Sequence, residues 1–493
     1  MECVIALDQG SSTTRALAVD ERGRVVAAAR RPIRTFRPRP GIVEHDPLEL
    51  AESSEAVLDA VLSKLPKKAA VLGLGLSAQR STVVFWDAGT GEPVGRAPSW
   101  QDGRAAALLV PLQGRQQEVH ERTGLYLTPF YSAPKIRFLL DSEPELKRRA
   151  DAGTLRIGPV TTWLLWRLTR GGAFAVDPTM AQRMLLMDLG TMSWDDGLLS
   201  LFGVPREALP RIRSTTGEWA VLERGGRRFP VLATLGDQQA AAVGQGAGQA
   251  GSGVLNYGTG AFYLQHAGTQ TLRVPGLLTT LALQRQNAAP EFFLEGTVHA
   301  AGTSYDWLKE NLGLLKDVRK VDALCRESTE RLWVLQSIGG LGAPRWDYRT
   351  PAAVLGLSAR TRPADLVRGV TEALAFLVAD IVGAVRKAGL EPVSLKASGG
   401  VSKIDYLMQF QADLLQKGIH RLHEGEATAL GAAALAAEKA GAPWARKLAD
   451  AGVDREFIPR MEPERARRLH AGWLAFVAGQ QRLAEELRAL GAL

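Results

Sequence analysis

Cysteine is nearly absent: Cys3 and Cys325 are the two in 493 residues. That excludes a disulfide framework and fits a reducing cytoplasm. No apolar run approaches the roughly 20 residues of a membrane-spanning helix, and the N-terminus lacks a basic segment followed by an apolar core, so neither a span nor a signal peptide is expected. Histidine is scarce, and its seven positions show no metal-ligand spacing. His420 and His423 are three apart but lie in a strand-to-loop stretch, where surface or core roles are expected. Aromatics make up only 6% and are not interleaved with the basic pairs Arg30-Arg31, Lys67-Lys68, Arg227-Arg228 and Arg467-Arg468. The net charge of +8 therefore reads as scattered, solvated excess, with no nucleic-acid partner. Low-complexity tails and short-period repeats are missing as well. So are both common phosphate motifs, GxxxxGK[ST] and a GxGxxG opening a helix.

What is present is an ordinary globular balance, 46% hydrophobic and 23% charged, over a length sufficient for two or three domains. One stretch stands out, Val4-Ile-Ala-Leu-Asp-Gln-Gly-Ser-Ser-Thr-Thr-Arg15. A short strand ends in Asp8, a loop of small and hydroxyl residues follows (Gln9, Gly10, Ser11, Ser12, Thr13), and a second strand runs from Thr14 to Val19. Backbone N–H groups of such a loop can close around an anion, with the hydroxyls adding donors. A carboxylate beside that anion is repulsive unless a hard cation lies between them, so Asp8 is the candidate ligand for Mg²⁺, directly or through water. Arg15 supplies a fixed positive charge. Alone, this loop reads equally well as a plain hairpin turn.

A second loop of the same pattern lies half a chain away, in Val254–Leu264, where Gly258, Thr259 and Gly260 separate two apolar runs. Two such hairpins point to a duplicated domain with a nucleotide's phosphates between the copies. Between them, Asp46-Pro47 caps a helix to about Leu65, strands are expected at Val71–Ser77 and Thr82–Trp86, and helices at Pro134–Leu140 and Thr161–Leu168. Phe229–Leu235 reads as a strand leading into Gly236-Asp-Gln-Gln239 and an Ala-rich helix. Glycine is dense at Gly246–Gly251, which places the boundary between domains 1–246 and 247–493 there. In the second half, helices are expected at Thr303–Leu312, from Pro363 to Ala388, at Ile404–Leu415, Ala427–Lys439 and Pro463–Leu490, with a strand at Leu395–Ser398 running into Gly399 and Gly400. Gly339–Pro344 is a backbone-rich loop.

The order of these motifs, DQGSSTTR (8–15), GIVEHDPLEL (41–50), SWQDGR (99–104), TGLYLTPFYSAPKIRFLLD (123–141), GDQQAA (236–241), NYGTGAF (256–262), LEGT (294–297), GLGAPRWD (340–347) and ATALGAAALA (427–436), resembles the FGGY family of carbohydrate kinases from end to end. Within it the glycerol kinases are most similar. The resemblance implies an α/β fold of two actin-like (RNase-H-like) domains flanking a nucleotide and substrate cleft. It also implies ATP-dependent phosphorylation of a small polyol or sugar, glycerol first, in a cytoplasmic homo-oligomer, a dimer or tetramer. The alternatives are a kinase for a larger polyol or ketose, xylulokinase-like, and a nucleotide-dependent regulator that phosphorylates nothing.

Phosphoryl transfer needs a phosphate clamp, a metal and a base for the acceptor's proton. By resemblance Asp237 is that base, although alone it reads first as a helix N-cap. Arg80, Trp100, Asp237, Gln238 and Phe262 match acceptor-pocket positions, while Gly340, Gly399, Gly400 and Asp405 fall at the adenine site. The chain departs from the family at Ser81, where a glutamate is usual, and at Phe130, where a tyrosine is usual; Tyr131 follows. It also reads Ser398-Gly399-Gly400 where Asp-Gly-Gly is usual.

Overall fold

The computed structural model describes residues 1–493 apart from 424, 450 and 451. Two mixed sheets carry the architecture. The first is built from β1 (Glu2–Gln9), β2 (Thr13–Asp20), β3 (Val25–Pro32), β4 (Ala70–Ala78), β5 (Thr216–Arg224) and β6 (Arg227–Gly236), in the order β5-β6-β4-β1-β2-β3. β1–β3 form an antiparallel meander, and β4 and β6 join parallel to β1. Helix α1 (Pro47–Lys64) follows β3; Asp46 accepts from the Leu48 N–H at 3.0 Å and Pro47 opens the first turn. Further on come α2 (Ser132–Ser142) and α3 (Asp237–Gly244).

The second sheet comprises β7 (Ser252–Tyr257), β8 (Ala261–His266), β9 (Leu278–Leu283), β10 (Glu291–Val298), β11 (Ser394–Ser398), β12 (Ile419–Leu422) and β13 (Val453–Phe457), ordered β9-β10-β8-β7-β11-β12-β13. β7 pairs antiparallel with β8 and parallel with β11, as β1 does with β2 and β4. The repeated loop pattern in the sequence therefore corresponds to a repeated strand topology. Helices α4 (Pro363–Lys387), α5 (Asp405–Leu415), α6 (Ala427–Lys439) and α7 (Pro463–Ala489) complete this half.

β1 is a continuous apolar run because helices cover both faces of its sheet. Cys3, Ile5 and Leu7 pack in the cluster that holds Leu50, Leu58 and Val61 of α1. Val4 and Ala6 point the other way, into a cluster with Ala429, Ala432, Ala433 and Leu435 of α6. Thus α6, far along the second half, lies on the first sheet. The approach is at backbone distance: a Cβ on Gly75 would sit 2.1 Å from the Ala432 carbonyl oxygen, and one on Gly431 1.8 Å from that of Ala240. The Ala and Gly content of α3 and α6 is what allows these two helices to meet.

Two expectations need amendment. The helix expected over Thr303–Leu312 is regular only at Gly302–Asp306 and continues as a wider π turn at Trp307–Asn311. β5 and β9 were not anticipated. β9, Leu-Thr-Thr-Leu-Ala-Leu, is buried throughout and shows no alternation to mark it as a strand.

Candidate active site

The site forms where the parallel strands of the first sheet end. Asp8 on β1 is in register with Arg15 of β2 and Ser77 of β4, while Gly236 of β6 lies opposite Ala78, so Asp237 begins α3 beside them. Carboxyl ends of parallel strands are where open α/β sheets bind ligands. Asp8 is 3% exposed; its Oδ1 accepts from Ser77 Oγ at 2.9 Å and its Oδ2 lies 3.4 Å from Arg15 Nε. Burial pushes its carboxyl up to about 7, opposed by Arg15 and reinforced by the charge of Asp237. Arg15 reaches on to Glu426, just before α6, and its buried Nε has no hydrogen-bond partner.

The β1–β2 loop is closed by the Gly10 N–H donating to the Thr13 carbonyl at 3.0 Å, with Ser12 exposed at its tip. Trp100 joins this loop to the next segment, since its ring N–H donates to Ser11 Oγ at 2.7 Å and its backbone N–H to Thr82 Oγ1 at 3.1 Å. The second loop is tied down differently. The carbonyls of Gly258 and Thr259 accept from Gly302 and Ala301 at 2.9 and 2.8 Å, and Gly260 packs where a Cβ would meet the Val298 carbonyl at 2.7 Å. Gly258 and Thr259 themselves are exposed.

Asp237 lies in a charged group drawn from both halves of the chain. Arg80 Nε is 3.7 Å from Asp237 Oδ1, and its Nη1 is 3.7 Å from Glu295 Oε2. Arg183 pairs with the same Glu295 oxygen. Burial raises the Asp237 carboxyl, with Arg80 opposing. Burial would also raise Glu295, but the Arg183 and Arg80 charges outweigh it and hold that group low. Arg80 is almost enclosed, yet its contacts with Asp237, Glu295 and Gln239 are all 3.5 Å or longer, which leaves donor capacity unused. Gln238 is half-buried, its N–H donating to Asp237 Oδ1 at 2.8 Å. Phe262 pairs with Thr297, two residues beyond Glu295, and so shares that face of the second sheet.

The two departures at acceptor-pocket positions have different fates. Ser81 is buried with φ +62°, and its Oγ lies 3.5 Å from the Arg183 carbonyl. Phe130 is 46% exposed, whereas Tyr131 is buried with its ring 5.9 Å from the Arg183 guanidinium carbon. The phenol of this pair thus belongs to the arginine–glutamate group, and the phenyl ring to the rim. Lys135 of α2 fixes the surrounding loops: its ammonium donates to the carbonyls of Ser81, Ser99 and Phe130 at 2.8, 2.7 and 2.9 Å, and burial pulls it down to about 7.

At the other end, Gly399 (φ +92°) packs where a Cβ would meet the Tyr257 carbonyl at 2.4 Å, while Gly400 faces open space. Gly340, with φ +87°, packs against Tyr348, and its carbonyl lies 3.2 Å from His299 Nδ1. Asp405 opens α5 beyond these glycines, and its carboxylate accepts from Arg421 and Arg455 at 2.7 and 2.5 Å. Sequence reasoning missed Arg183, Glu295, Lys135, Ser77 and Glu426. The signal for two of them was a lone charge inside an apolar run, Arg183 before Met184–Met187 and Glu295 after Phe292–Leu294.

Among the described residues no cluster of three or more His, Cys, Asp or Glu could hold a metal unaided. Asp8 does fit a cation shared with phosphate oxygens: it is a single buried carboxylate with spare lone pairs.

Residues 3–244 match the N-terminal domain model of the FGGY family of carbohydrate kinases, and residues 253–440 match its C-terminal domain model. The chain belongs to that family. Among FGGY relatives it is 40% identical to the glycerol kinase of Thermus brockianus, over 96% of this chain and 97% of that one. It is 38% identical to the glycerol kinase of Alkalilimnicola ehrlichii, with the same coverage. The crystal structure of Plasmodium falciparum glycerol kinase with ADP superposes with a TM-score of 0.92 at 28% identity, covering 97% of this chain and 98% of that one. A xylulose kinase from Rhodospirillum rubrum superposes at 0.88 with 23% identity, over 98% of this chain and all of that one, and shares the fold.

Proposed function

We propose that this FGGY kinase transfers the γ-phosphoryl group of ATP to a hydroxyl of a small polyol, with glycerol the first acceptor. The observation that carries the reading is Asp237 at the mouth of the cleft, raised by burial, beside an arginine with unused donors and one strand from Asp8. Full-length similarity to proteins named glycerol kinase supports the same acceptor.

In this reading Arg80 and Trp100 position the acceptor, and Gln238 and Phe262 border it. Asp237 takes the proton from the attacking hydroxyl as the bond to phosphorus forms. Its raised affinity for a proton suits a base better than that of a free aspartate does. The hairpin loops of Gly10–Thr13 and Gly258–Gly260 hold the phosphates through backbone N–H groups, and Arg15 offsets their charge. Mg²⁺, when bound with the nucleotide, neutralises charge on the phosphate oxygens. Asp8 would hold it, and Gly340, Gly399 and Gly400 would line the purine of the bound nucleotide. Domains 1–246 and 247–493 close on both substrates, because each contributes one loop.

Ser81 and the outward Phe130 favour a second acceptor class, a longer polyol or a ketose. A coupled ADP-release assay over glycerol, tetritols, pentitols and ketoses tests the reading. Turnover with at least one is expected; ADP release unaltered by every acceptor would overturn it.

A further inference from the structure

A cavity of about 290 Å³, sharing no lining residue with the site above, lies between α4, α5 and the start of α7. Four arginines line it, Arg331, Arg368, Arg460 and Arg465, against one aspartate, Asp413. Glu372 lies behind, 2% exposed, and its two oxygens accept from Arg331 Nη1 at 2.5 Å, Arg368 Nε at 2.8 Å and the Tyr406 hydroxyl at 2.7 Å. Two guanidinium groups are therefore fixed along one edge, with their remaining N–H groups free. Asp413 does not neutralise the others. Its Oδ1 accepts from Gln409 Nε2 and from the backbone N–H groups of Arg460 and Met461, at 3.0, 2.6 and 3.2 Å. Among the described residues the guanidinium groups of Arg460 and Arg465 make no hydrogen bond or ion pair.

The cluster thus carries four positive charges against two negative ones, at a site with a rigid wall. Tyr406 and Phe410 stack with centroids 6.2 Å apart, and the arginines lie over them, Arg331 5.8 Å from the Phe410 ring and Arg368 6.0 Å from that of Tyr406. Burial pulls Arg331 below its ordinary value; Glu372 opposes this, and the Arg368 and Arg465 charges add to it. A bound anion would relieve that crowding. Planar, preorganised guanidinium forks match phosphate oxygens, and a dianion balances the surplus of two charges.

We propose that this cavity is a binding site for a small phosphate monoester, separate from the phosphotransfer cleft. Its volume admits a phosphate with a small organic group laid on the aromatic wall. Tyr406, Gln409, Phe410 and Asp413 form one face of α5, whose first turn begins beside Gly399–Gly400.

The test is calorimetric titration of the full-length protein at physiological ionic strength with glucose 6-phosphate, inorganic phosphate, sulfate, glucose and a glutamate-rich peptide. Saturable binding of glucose 6-phosphate, tighter than that of inorganic phosphate and absent with glucose, is expected. In Arg460→Ser/Arg465→Ser, whose side chains are exposed and hold nothing in the fold, affinity for glucose 6-phosphate should fall at least about tenfold. Turnover without added phosphate ester should be unchanged. Arg331→Lys, which keeps the charge facing Glu372 but loses the fork, should weaken binding as well. Equal binding by the double variant would overturn the proposal. So would sulfate or inorganic phosphate binding as tightly as the ester, or the peptide alone binding.

Discussion

Replacing Asp8 with Asn should make the nucleotide-free protein more stable at neutral and alkaline pH. The carboxyl is 3% exposed, and burial displaces it from 3.8 to about 7, beyond what Arg15 and Ser77 recover. The folded chain therefore retains a proton that the unfolded chain has released. Stability contributed by this group is complete below pH 4 and is lost as pH rises through about 7. Asn has no proton to lose and escapes that decline. At about 1.36 kcal/mol for each tenfold change in acidity, the ceiling on the difference at pH 8 is about 4 kcal/mol. With an unfolding entropy of ~2.1 cal/mol/K per residue, that is a rise of about 4 °C in Tm if the chain melts as one unit. The sign should reverse with nucleotide. MgATP at about a hundred times its dissociation constant adds roughly 2.7 kcal/mol to the wild-type protein, and Asp8→Asn should gain much less. Scanning calorimetry of both proteins from pH 5 to 8.5, with and without MgATP, separates these effects. Equal midpoints at pH 8, or equal stabilisation by MgATP, would refute both the burial cost of Asp8 and its role as the metal carboxylate.

Asp237→Asn should lower turnover by about a hundredfold or more with nucleotide affinity nearly intact, measured by steady-state kinetics and calorimetry; retention of most turnover excludes it as the base. Because burial raises Asp237, the acid limb of wild-type kcat/KM should lie above the range of a free aspartate, activity falling as pH drops through it. Ser81→Glu should lower the KM for glycerol by up to about ten- to a hundredfold if one charged hydrogen bond returns, whereas Phe130→Tyr on the exposed rim should add little; no gain from Ser81→Glu would rule out this account of the acceptor pocket. Gly431→Ala would put a Cβ 1.8 Å from the Ala240 carbonyl and drive α3 and α6 apart. A loss of about 3 kcal/mol or more is expected in urea denaturation, and an unchanged midpoint would show that this helix contact is soft.

Much of the scaffold was legible in the chain because its signals are local. The β1 run, the Gly10–Thr13 loop and β2 announce a hairpin through apolar runs and turn residues. Asp46-Pro47 announces α1 through cap chemistry, and Gly236-Asp237 marks the strand-to-helix corner. The end-to-end order of motifs identified the family, which three-dimensional packing then had no need to decide. Physical adjacency was a different matter. Nothing in the sequence says that Arg80 meets Glu295, that Arg15 meets Glu426, or that Asp405 is held by Arg421 and Arg455. These pairs are joined across tens to hundreds of residues, and a charge in an apolar run reveals burial but not its partner. The same holds for Tyr131 taking the inward place beside Phe130, and for α6 lying on the first sheet against Gly75. Local patterning determines which segments become strands and helices, because propensity and turn chemistry act between near neighbours. Which charges are neutralised, and which carboxylate is left to accept a proton, was decided only when the tertiary fold excluded water from them.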